Sequence, residues 1–161
     1  MRIISATIED VEVIRDLAHQ IWPDAYRNIL SHEQINYMLV QMYSPQVLKN
    51  LIEDGHHFVL LFKDDQPIGF AGFHEKSSRF WRLNKIYVLP AYQGKGAGQT
   101  LLSHVLQYAQ NSHGTTFELN VNKHNPAKQF YEKNGFAVIR SEVIDIGEGY
   151  VMNDYVMQKA L

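Results

Sequence analysis

The chain has 161 residues, a formal net charge of −2 and no cysteine. This balance offers no basic excess for nucleic acid, and the lack of cysteine excludes disulfides, thiolate zinc sites and a cysteine nucleophile. No apolar run is long enough to span a membrane and the N-terminus has no signal-peptide pattern, so we expect one cytoplasmic domain over residues 1–161. None of the eight histidines forms an HExxH-type pair, and no metal site is expected.

The first third of the chain predicts one short strand and three helices. The strand covers residues 2–7. Apolar residues at helical spacing predict the first helix, which Pro23 is expected to interrupt, and they form one stripe: Val11, Ile14, Leu17, Ala18 and Ile21. The second helix is "HEQINYMLVQMY" at 32–43, and the third lies between Ser44, which caps it, and Gly55, which ends it.

The remaining elements alternate between strands and helices. Apolar runs bounded by turn residues predict a meander of strands at 57–63, 68–76 and 79–89. A helix, a strand, a short helix and a closing hairpin follow, at 97–114, 116–122, 125–134, 136–146 and 149–160. Because hairpins are combined with strand–helix–strand crossovers, we predict an α/β (α+β) fold with a mixed sheet.

The stretch "YQGKGAGQTLL", residues 92–102, places three glycines between a strand and an amphipathic helix. It does not fit the P-loop, and it does not fit the dinucleotide fingerprint because Gln99 stands where a glycine is required. It does fit Q-x-x-G-x-G, with Gln93, Gly96 and Gly98. Unpaired N–H groups at a helix N-terminus bind anions, so the loop predicts a diphosphate site, the alternative being a plain strand–helix connection without a ligand.

Two segments resemble the GNAT (Gcn5-related) N-acetyltransferase family. "KIYVLPAYQGKGAGQTLLSHVLQYA" is similar to its acetyl-CoA motif, and "LNVNKHNPAKQFYEKNGF" resembles its second motif, here N-x-A-x-x-F-Y-x-K-x-G-F at 125–136. The resemblance implies a mostly antiparallel sheet of about seven strands flanked by helices. In that fold one pair of strands splays apart to form the acetyl-CoA cleft.

The resemblance also implies which residues bind acetyl-CoA. Backbone groups near three residues of the splayed strand would hold the pantetheine arm, namely Ile86, Tyr87 and Val88. The amides of the glycine loop would bind the pyrophosphate, namely Gln93, Gly94, Lys95, Gly96, Ala97 and Gly98. Asn125 would contact the cofactor arm, although it also fits a role as a simple helix cap.

By the same resemblance, Tyr131 would protonate the departing CoA thiolate, which suits a phenol that is protonated at neutral pH. The alternative is a core tyrosine. The proton acceptor is open, because Asn84 stands where some relatives carry glutamate. His74, Glu75, Glu118 and the histidines of the early helices are the candidates, each of which also fits a structural role.

The helices within 22–55 would form the substrate wall, with Trp22, Tyr26, Tyr37 and also Glu118 as acceptor-binding residues. This stretch and "NDYVMQK" resemble the PaiA-type branch, which implies a polyamine acceptor. We therefore expect direct acetyl transfer to a primary amine of a small molecule. The alternatives are a peptide or protein amine, a catalytically weak acetyl-CoA-binding regulator and a nucleotide-binding enzyme. A homodimer through the last strand is a further expectation, and neither nucleic acid nor a membrane is an expected partner.

Overall fold

The computed structural model describes residues 1–161 as one sheet of seven strands with five α-helices around it. The strands are β1 (Arg2–Ser5), β2 (His57–Lys63), β3 (Gln66–Ser77), β4 (Phe80–Val88), β5 (Thr116–Asn122), β6 (Ala137–Gly147) and β7 (Tyr150–Ala160). The helices are α1 (Val11–Ala25), α2 (His32–Tyr43), α3 (Pro45–Glu53), α4 (Ala97–Asn111) and α5 (Ala127–Lys133). No helix combines the length and the apolar composition that crossing a membrane requires.

The strands lie in the order β1-β2-β3-β4-β5-β7-β6. All neighbouring strands are antiparallel except β4 and β5. These two run parallel because α4 carries the chain back to the end of the sheet at which β4 begins. The predicted mixed, mostly antiparallel sheet is therefore confirmed. The expectation that the last strand lies free for a second subunit is wrong, because β7 pairs with β5 on one side and β6 on the other.

The parallel pair β4–β5 comes apart partway along. Its ladder runs from Phe80 opposite Thr116 to Leu83 opposite Leu119 and then stops, although both strands continue. The next residue of β4, Asn84, is the extra residue of a β-bulge, since Gly72 and Phe73 of β3 pair with residues 85 and 83. A bulge bends its strand and increases its twist, so β4 leaves β5 here and opens a gap between the two strands.

The two faces of the sheet are covered by different helices. On one face, called here the α1 face, Trp22 of α1 packs on Tyr87 and Tyr43 of α2 packs on Phe70. On the opposite face, called the α4 face, helix α4 lies across β3 and β4. The apolar stripe predicted for α1 is buried throughout, which places the first helix as expected.

Helix α1 continues through Pro23 to Ala25, so the predicted interruption at this proline is wrong. Proline removes one backbone donor, and here the lost hydrogen bond falls in the last turn of the helix. The ladder resumes after it, because the Tyr26 N–H donates to the carbonyl of Trp22 at 3.0 Å. The helix therefore places Trp22 against the sheet, and Tyr26 follows directly after the last helical residue.

Truncation of Leu101 tests the packing of α4 on the sheet. This side chain is fully buried, so Leu101→Ala should lower the free energy of unfolding by about 2–5 kcal/mol. The matched control is Val40→Ala on α2, which is 61% exposed and should change stability by less than about 0.5 kcal/mol. Chemical denaturation of both variants measures this, and equal effects would contradict the assignment of α4 to the core.

Candidate active site

The gap between β4 and β5 is lined on the β4 side by backbone groups that have no partner strand. The Leu89 N–H donates to the carbonyl of Ile68 at 2.8 Å, and Tyr87 lies opposite Phe70 of β3. Because backbone groups alternate in direction along an antiparallel ladder, those of Tyr87 point to β3, while those of Ile86 and Val88 point into the gap. The predicted backbone contacts thus have the right orientation at Ile86 and Val88, whereas Tyr87 contributes its side chain.

The glycine loop presents a row of unpaired amides at the start of α4. The backbone N–H groups of residues 94–99 donate to no protein acceptor, and the first bond of the helix is donated by Thr100 to the carbonyl of Gly96. Gly94 and Gly96 have φ of 73° and 85°, the left-handed region that favours glycine. A diphosphate fits such a row, because the donors are consecutive and the helix dipole is positive there.

Two side chains of the loop stabilise its shape. The Gln93 amide donates to the Val88 carbonyl at 3.0 Å, and the Lys95 ammonium donates to the Ala91 carbonyl at 3.1 Å. Gln93 therefore ties the loop to the end of β4. Lys95 is exposed at the edge of the amide row, where its charge remains available to an anion.

Helix α5 joins this loop to the gap. Its Phe130 ring lies beside Gly98, and the Asn134 side chain accepts a hydrogen bond from Gln99 at 2.8 Å. Asn125 lies one residue before the N-cap position, Pro126, and its side-chain oxygen accepts from the Ala127 N–H at 2.9 Å. Tyr131 follows Phe130 in the chain. Its side chain points away from Gly98 and is buried next to the gap.

Three tyrosines meet at the gap and form what we call the tyrosine cluster: Tyr26, Tyr87 and Tyr131. The Tyr26 and Tyr87 hydroxyls are hydrogen-bonded at 2.8 Å, and Tyr131 is close enough for its charge to affect both of the others. Burial raises the pKa of Tyr131 above its usual value, and the nearby Tyr26 raises it further. The Tyr131 phenol is therefore held in its protonated form, as a proton donor must be.

Two of the aromatic residues predicted to bind the acceptor have structural partners instead. Trp22 is only 1% exposed and packs between Tyr26, Tyr43 and Tyr87. The Tyr37 hydroxyl donates to the Ile146 carbonyl at 2.8 Å, so α2 supports the tip of the β6–β7 hairpin. These two residues shape the wall beside the gap, whereas Tyr26 reaches it.

The structure does not support Glu118 as an acceptor-binding residue. Its carboxylate is buried and both oxygens are engaged: Arg82 donates at 2.8 Å, Gln158 at 3.1 Å, and Lys76 and Arg140 lie within 3.7 Å. This is a structural ion-pair network, because a carboxylate so fully partnered has no oxygen left for a ligand.

Glu75 is also misplaced for the predicted role of proton acceptor. It pairs with Trp81 on the α4 face, next to the β3–β4 turn, where its carboxylate accepts from the Arg79 N–H at 3.3 Å. This is the closed end of the β4–β5 pair. Glu75 is therefore separated from the gap by its position along β3, and its side chain lies on the α4 face of the sheet.

His74 lies on β3 opposite Arg82, where β4 is still paired with β5, and its side chain is already engaged. Its Nδ1 lies 2.7 Å from the Asn84 side-chain amide nitrogen, so the two side chains are hydrogen-bonded. The pKa of His74 is lowered to about 4, mainly by burial and to a smaller extent by the neighbouring charges of His56, Arg82, Lys76 and Lys85. His74 is therefore kept neutral and hydrogen-bonded to Asn84, and a pKa this low makes it a weak proton acceptor.

Sequence reasoning missed two buried charged residues on the α1 face, Asp154 and Lys85. Asp154 is 6% exposed, and its Oδ1 has no hydrogen-bond partner. Lys85 is 7% exposed, its ammonium lies 5.3 Å and 5.9 Å from the centres of the Tyr43 and Phe58 rings, and burial lowers its pKa to about 8. The alternation of side chains along a strand could have indicated that Asp154 is buried, since it lies on the same side of β7 as Met152 and Val156.

Titration of His74 tests its environment. The folded protein should bind a proton at His74 only near pH 4, whereas the unfolded chain does so near 6.5, so acid favours unfolding within this window. Stability should therefore rise as pH increases from about 4 to 6.5, and more steeply in the wild type than in His74→Gln. NMR titration of the imidazole and denaturation at both ends of the window measure this. A His74 signal that titrates near 6.5 would contradict the prediction.

Comparison with known proteins agrees with this geometry. The family model described as the acetyltransferase (GNAT) domain matches residues 26–158. A spermidine N(1)-acetyltransferase from Thermoplasma acidophilum is 28% identical over 159 residues, which cover 95% of this chain and 92% of the relative. A peptidyl-lysine N-acetyltransferase from Salmonella typhimurium is 29% identical over 140 residues, which cover 84% of this chain and 78% of the relative.

One solved structure extends the likeness to the whole fold. The crystal structure of the PaiA N-acetyltransferase from Thermoplasma acidophilum in complex with coenzyme A matches with a TM-score of 0.83 and 27% identity, and the match covers 100% of both chains. The predicted fold class, acyltransferase activity and acetyl-CoA as the acetyl donor are thereby confirmed. The chain belongs to the GNAT acetyltransferase family.

Proposed function

We propose that this protein transfers the acetyl group of acetyl-CoA to a primary amine of a small cationic molecule, with a polyamine as the acceptor. The observation that carries the proposal is the gap between β4 and β5, which has unpaired amides at one end and the tyrosine cluster at its side. A diphosphate-containing thioester and an amine would meet between these two features.

Acidic residues on the β6–β7 hairpin support a cationic acceptor. The β6–β7 hairpin carries the acidic residues Glu142, Asp145, Glu148 and Asp154. Its tip lies against α2, where the Gln34 amide donates to the Val151 carbonyl at 3.1 Å. The spermidine acetyltransferase relative has the same kind of acceptor.

Each part of the site has a role in this proposal. Bound acetyl-CoA supplies a thioester carbonyl for attack by the neutral amine, and the chain, which lacks cysteine, supports direct transfer. The amides of residues 94–99 bind the pyrophosphate, the backbones of Ile86 and Val88 hold the pantetheine arm, and Asn125 contacts it beside α5. Tyr131 donates a proton to the leaving sulfur. The hydroxyls of Tyr26, Tyr87, Tyr37 and Tyr92 are hydrogen-bonded to other groups, and the Tyr131 hydroxyl takes part in none of these bonds.

The predictions of one domain over residues 1–161, of a cytoplasmic protein and of a homodimer form part of this proposal. The two edge strands, β1 and β6, are where a second copy would add to the sheet. Sedimentation velocity over a range of concentrations tests the homodimer, and a monomer throughout would remove it.

A charge placed at the amide row tests the diphosphate site. Gln99 is exposed in the first turn of α4, and its amide contacts Ser103 and Asn134, which can donate to a carboxylate instead. Gln99→Glu should weaken CoA binding about fivefold at low salt and less at high salt, without loss of stability, because the carboxylate competes for the helix N-terminus. Calorimetry measures the affinity. Gln107→Glu, two turns further along the same helix, is the matched control, and equal affinity of both variants would contradict this site.

Removal of one hydroxyl tests the proton donor. Tyr131→Phe keeps the ring that packs on Phe130 and Phe136, so kcat should fall about 10²-fold while CoA affinity is unchanged. Tyr108→Phe on α4 is the matched control and should keep full activity.

The acceptor is identified by acetyl-CoA consumption with polyamines, amino acids, aminoglycosides and a lysine-containing peptide. We expect the highest kcat/KM with a polyamine. Preference for the peptide would favour the activity of the Salmonella relative. CoA binding without turnover of any amine would instead indicate a regulatory module.

A further inference from the structure

Three carboxylates lie on the α1 face beside the gap, and only one of them has an unpaired oxygen. Glu118 is fully engaged in its ion-pair network, and Glu142 accepts from Arg140 at 2.9 Å. Asp154 has no cation within ion-pair distance. Its Oδ2 accepts from the Asn120 amide at 3.2 Å, whereas its Oδ1 has no donor.

An unpaired carboxylate oxygen is costly at this depth. Asp154 is 94% buried, and a buried polar atom without a partner loses the hydrogen bonds that it makes with water. The sheet holds the residue firmly, because it pairs with Asn122 on β5 and with Glu142 on β6. The site thus requires a hydrogen-bond donor that the chain itself does not supply.

The position of Asp154 links it to the reacting part of the gap. Asn122, its partner on β5, lies beyond the last β4–β5 pair, at the level where the two strands have separated. Asp154 is also close enough to Tyr26 for its charge to raise the pKa of that phenol, and Tyr26 is hydrogen-bonded to Tyr87 on β4. Asp154 and the tyrosine cluster therefore border the same part of the gap.

We propose that Asp154 receives the ammonium group of the acceptor amine through Oδ1 and removes its proton, a task that Asn84 cannot perform. This inference rests on the proposed function and specifies how the acceptor is recognised. It also predicts a preference for cationic amines, because an ammonium supplies both the missing donor and the opposite charge.

The protons balance in four steps. The Asp154 carboxylate takes one proton from the ammonium, which leaves a neutral amine whose lone pair forms the new C–N bond. As the C–S bond breaks, its electron pair stays on sulfur, which takes the Tyr131 proton. The nitrogen then gives its surplus proton to the Tyr131 oxygen. Asp154 finally releases its proton to solvent, so one amide, one thiol and one proton are formed.

Several charged or titratable groups face Asp154: Tyr26 of α1, Arg82 of β4, Glu118 of β5, and Arg140 and Glu142 of β6. Burial raises the pKa of Asp154, the Asn120 hydrogen bond and the Arg82 charge lower it, and Glu142 raises it. The net shift is upward, and a more basic carboxylate is a stronger proton acceptor.

The first test uses the wild-type protein with two acceptors of nearly equal shape, propane-1,3-diamine and the much less basic 2,2-difluoropropane-1,3-diamine. If Asp154 takes the proton, the acidic limb of the kcat/KM profile belongs to the enzyme and should fall at the same pH for both diamines. If the amine must arrive neutral, the limb follows the pKa of each amine and shifts between them, which would overturn the proposal. This test does not depend on the folding of any variant.

The second test uses Asp154→Asn, with Asp65→Asn in the exposed turn between β2 and β3 as the matched control. At neutral pH, Asp154→Asn should lower kcat/KM about 10²-fold for propane-1,3-diamine and less than about tenfold for the difluoro compound, with CoA affinity unchanged. The enzyme's own acidic limb should disappear, and the rate should rise with the neutral fraction of the amine.

The remaining outcomes each decide one point. Equal losses for both diamines together with weaker CoA binding would mean a structural role and overturn the proposal, as would full activity of Asp154→Asn. A wild type that binds CoA but acetylates no amine would overturn the proposed function and this inference together. Turnover with an acidic limb that shifts between the diamines would overturn the inference alone.

Discussion

The site depends on one constraint, namely that the parallel strands β4 and β5 stop pairing after Leu83 and Leu119. Continued pairing would close the sheet and satisfy the backbone groups of Ile86 and Val88. The bulge at Asn84 prevents this, because it bends β4 away while β3 remains paired with it. The same bend directs the end of β4, at Val88, and the glycine loop that follows it towards the start of α4. One irregular residue thus provides both the opening and the placement of the amide row.

The gap is bordered by groups whose charge state is set by burial. The tyrosine cluster is kept protonated, because the low polarity around it disfavours a phenolate. His74 is kept neutral for the same physical reason, and its ring is hydrogen-bonded to the Asn84 side chain. Proton donors are therefore provided by buried phenols, and proton acceptance passes to a carboxylate on the opposite side of the gap.

The carboxylates on the α1 face show how similar residues acquire different roles. Glu118 and Asp154 are both buried, yet Glu118 has Arg82, Lys76 and Arg140 within ion-pair distance, while Asp154 has no cation that close and accepts a hydrogen bond from the Asn120 amide. A buried charge is tolerated when it is paired, so Glu118 stabilises the sheet. Asp154 retains an unpaired oxygen, and a residue in this state is more typical of a ligand site than of a structural one.

The sequence by itself determined the element order, the glycine loop and the position of Tyr131, because hydrophobic periodicity, helix caps and short motifs are local properties of the chain. It could not separate Glu118 from Asp154, nor exclude Glu75, because an acid in a strand looks the same whether its partner is an arginine, a backbone amide or nothing. Only the tertiary structure decided those partners, through the register between β5, β6 and β7 and the bulge in β4. Long-range register places residues from distant segments side by side, and that pairing fixed which charges are satisfied and which one remains open.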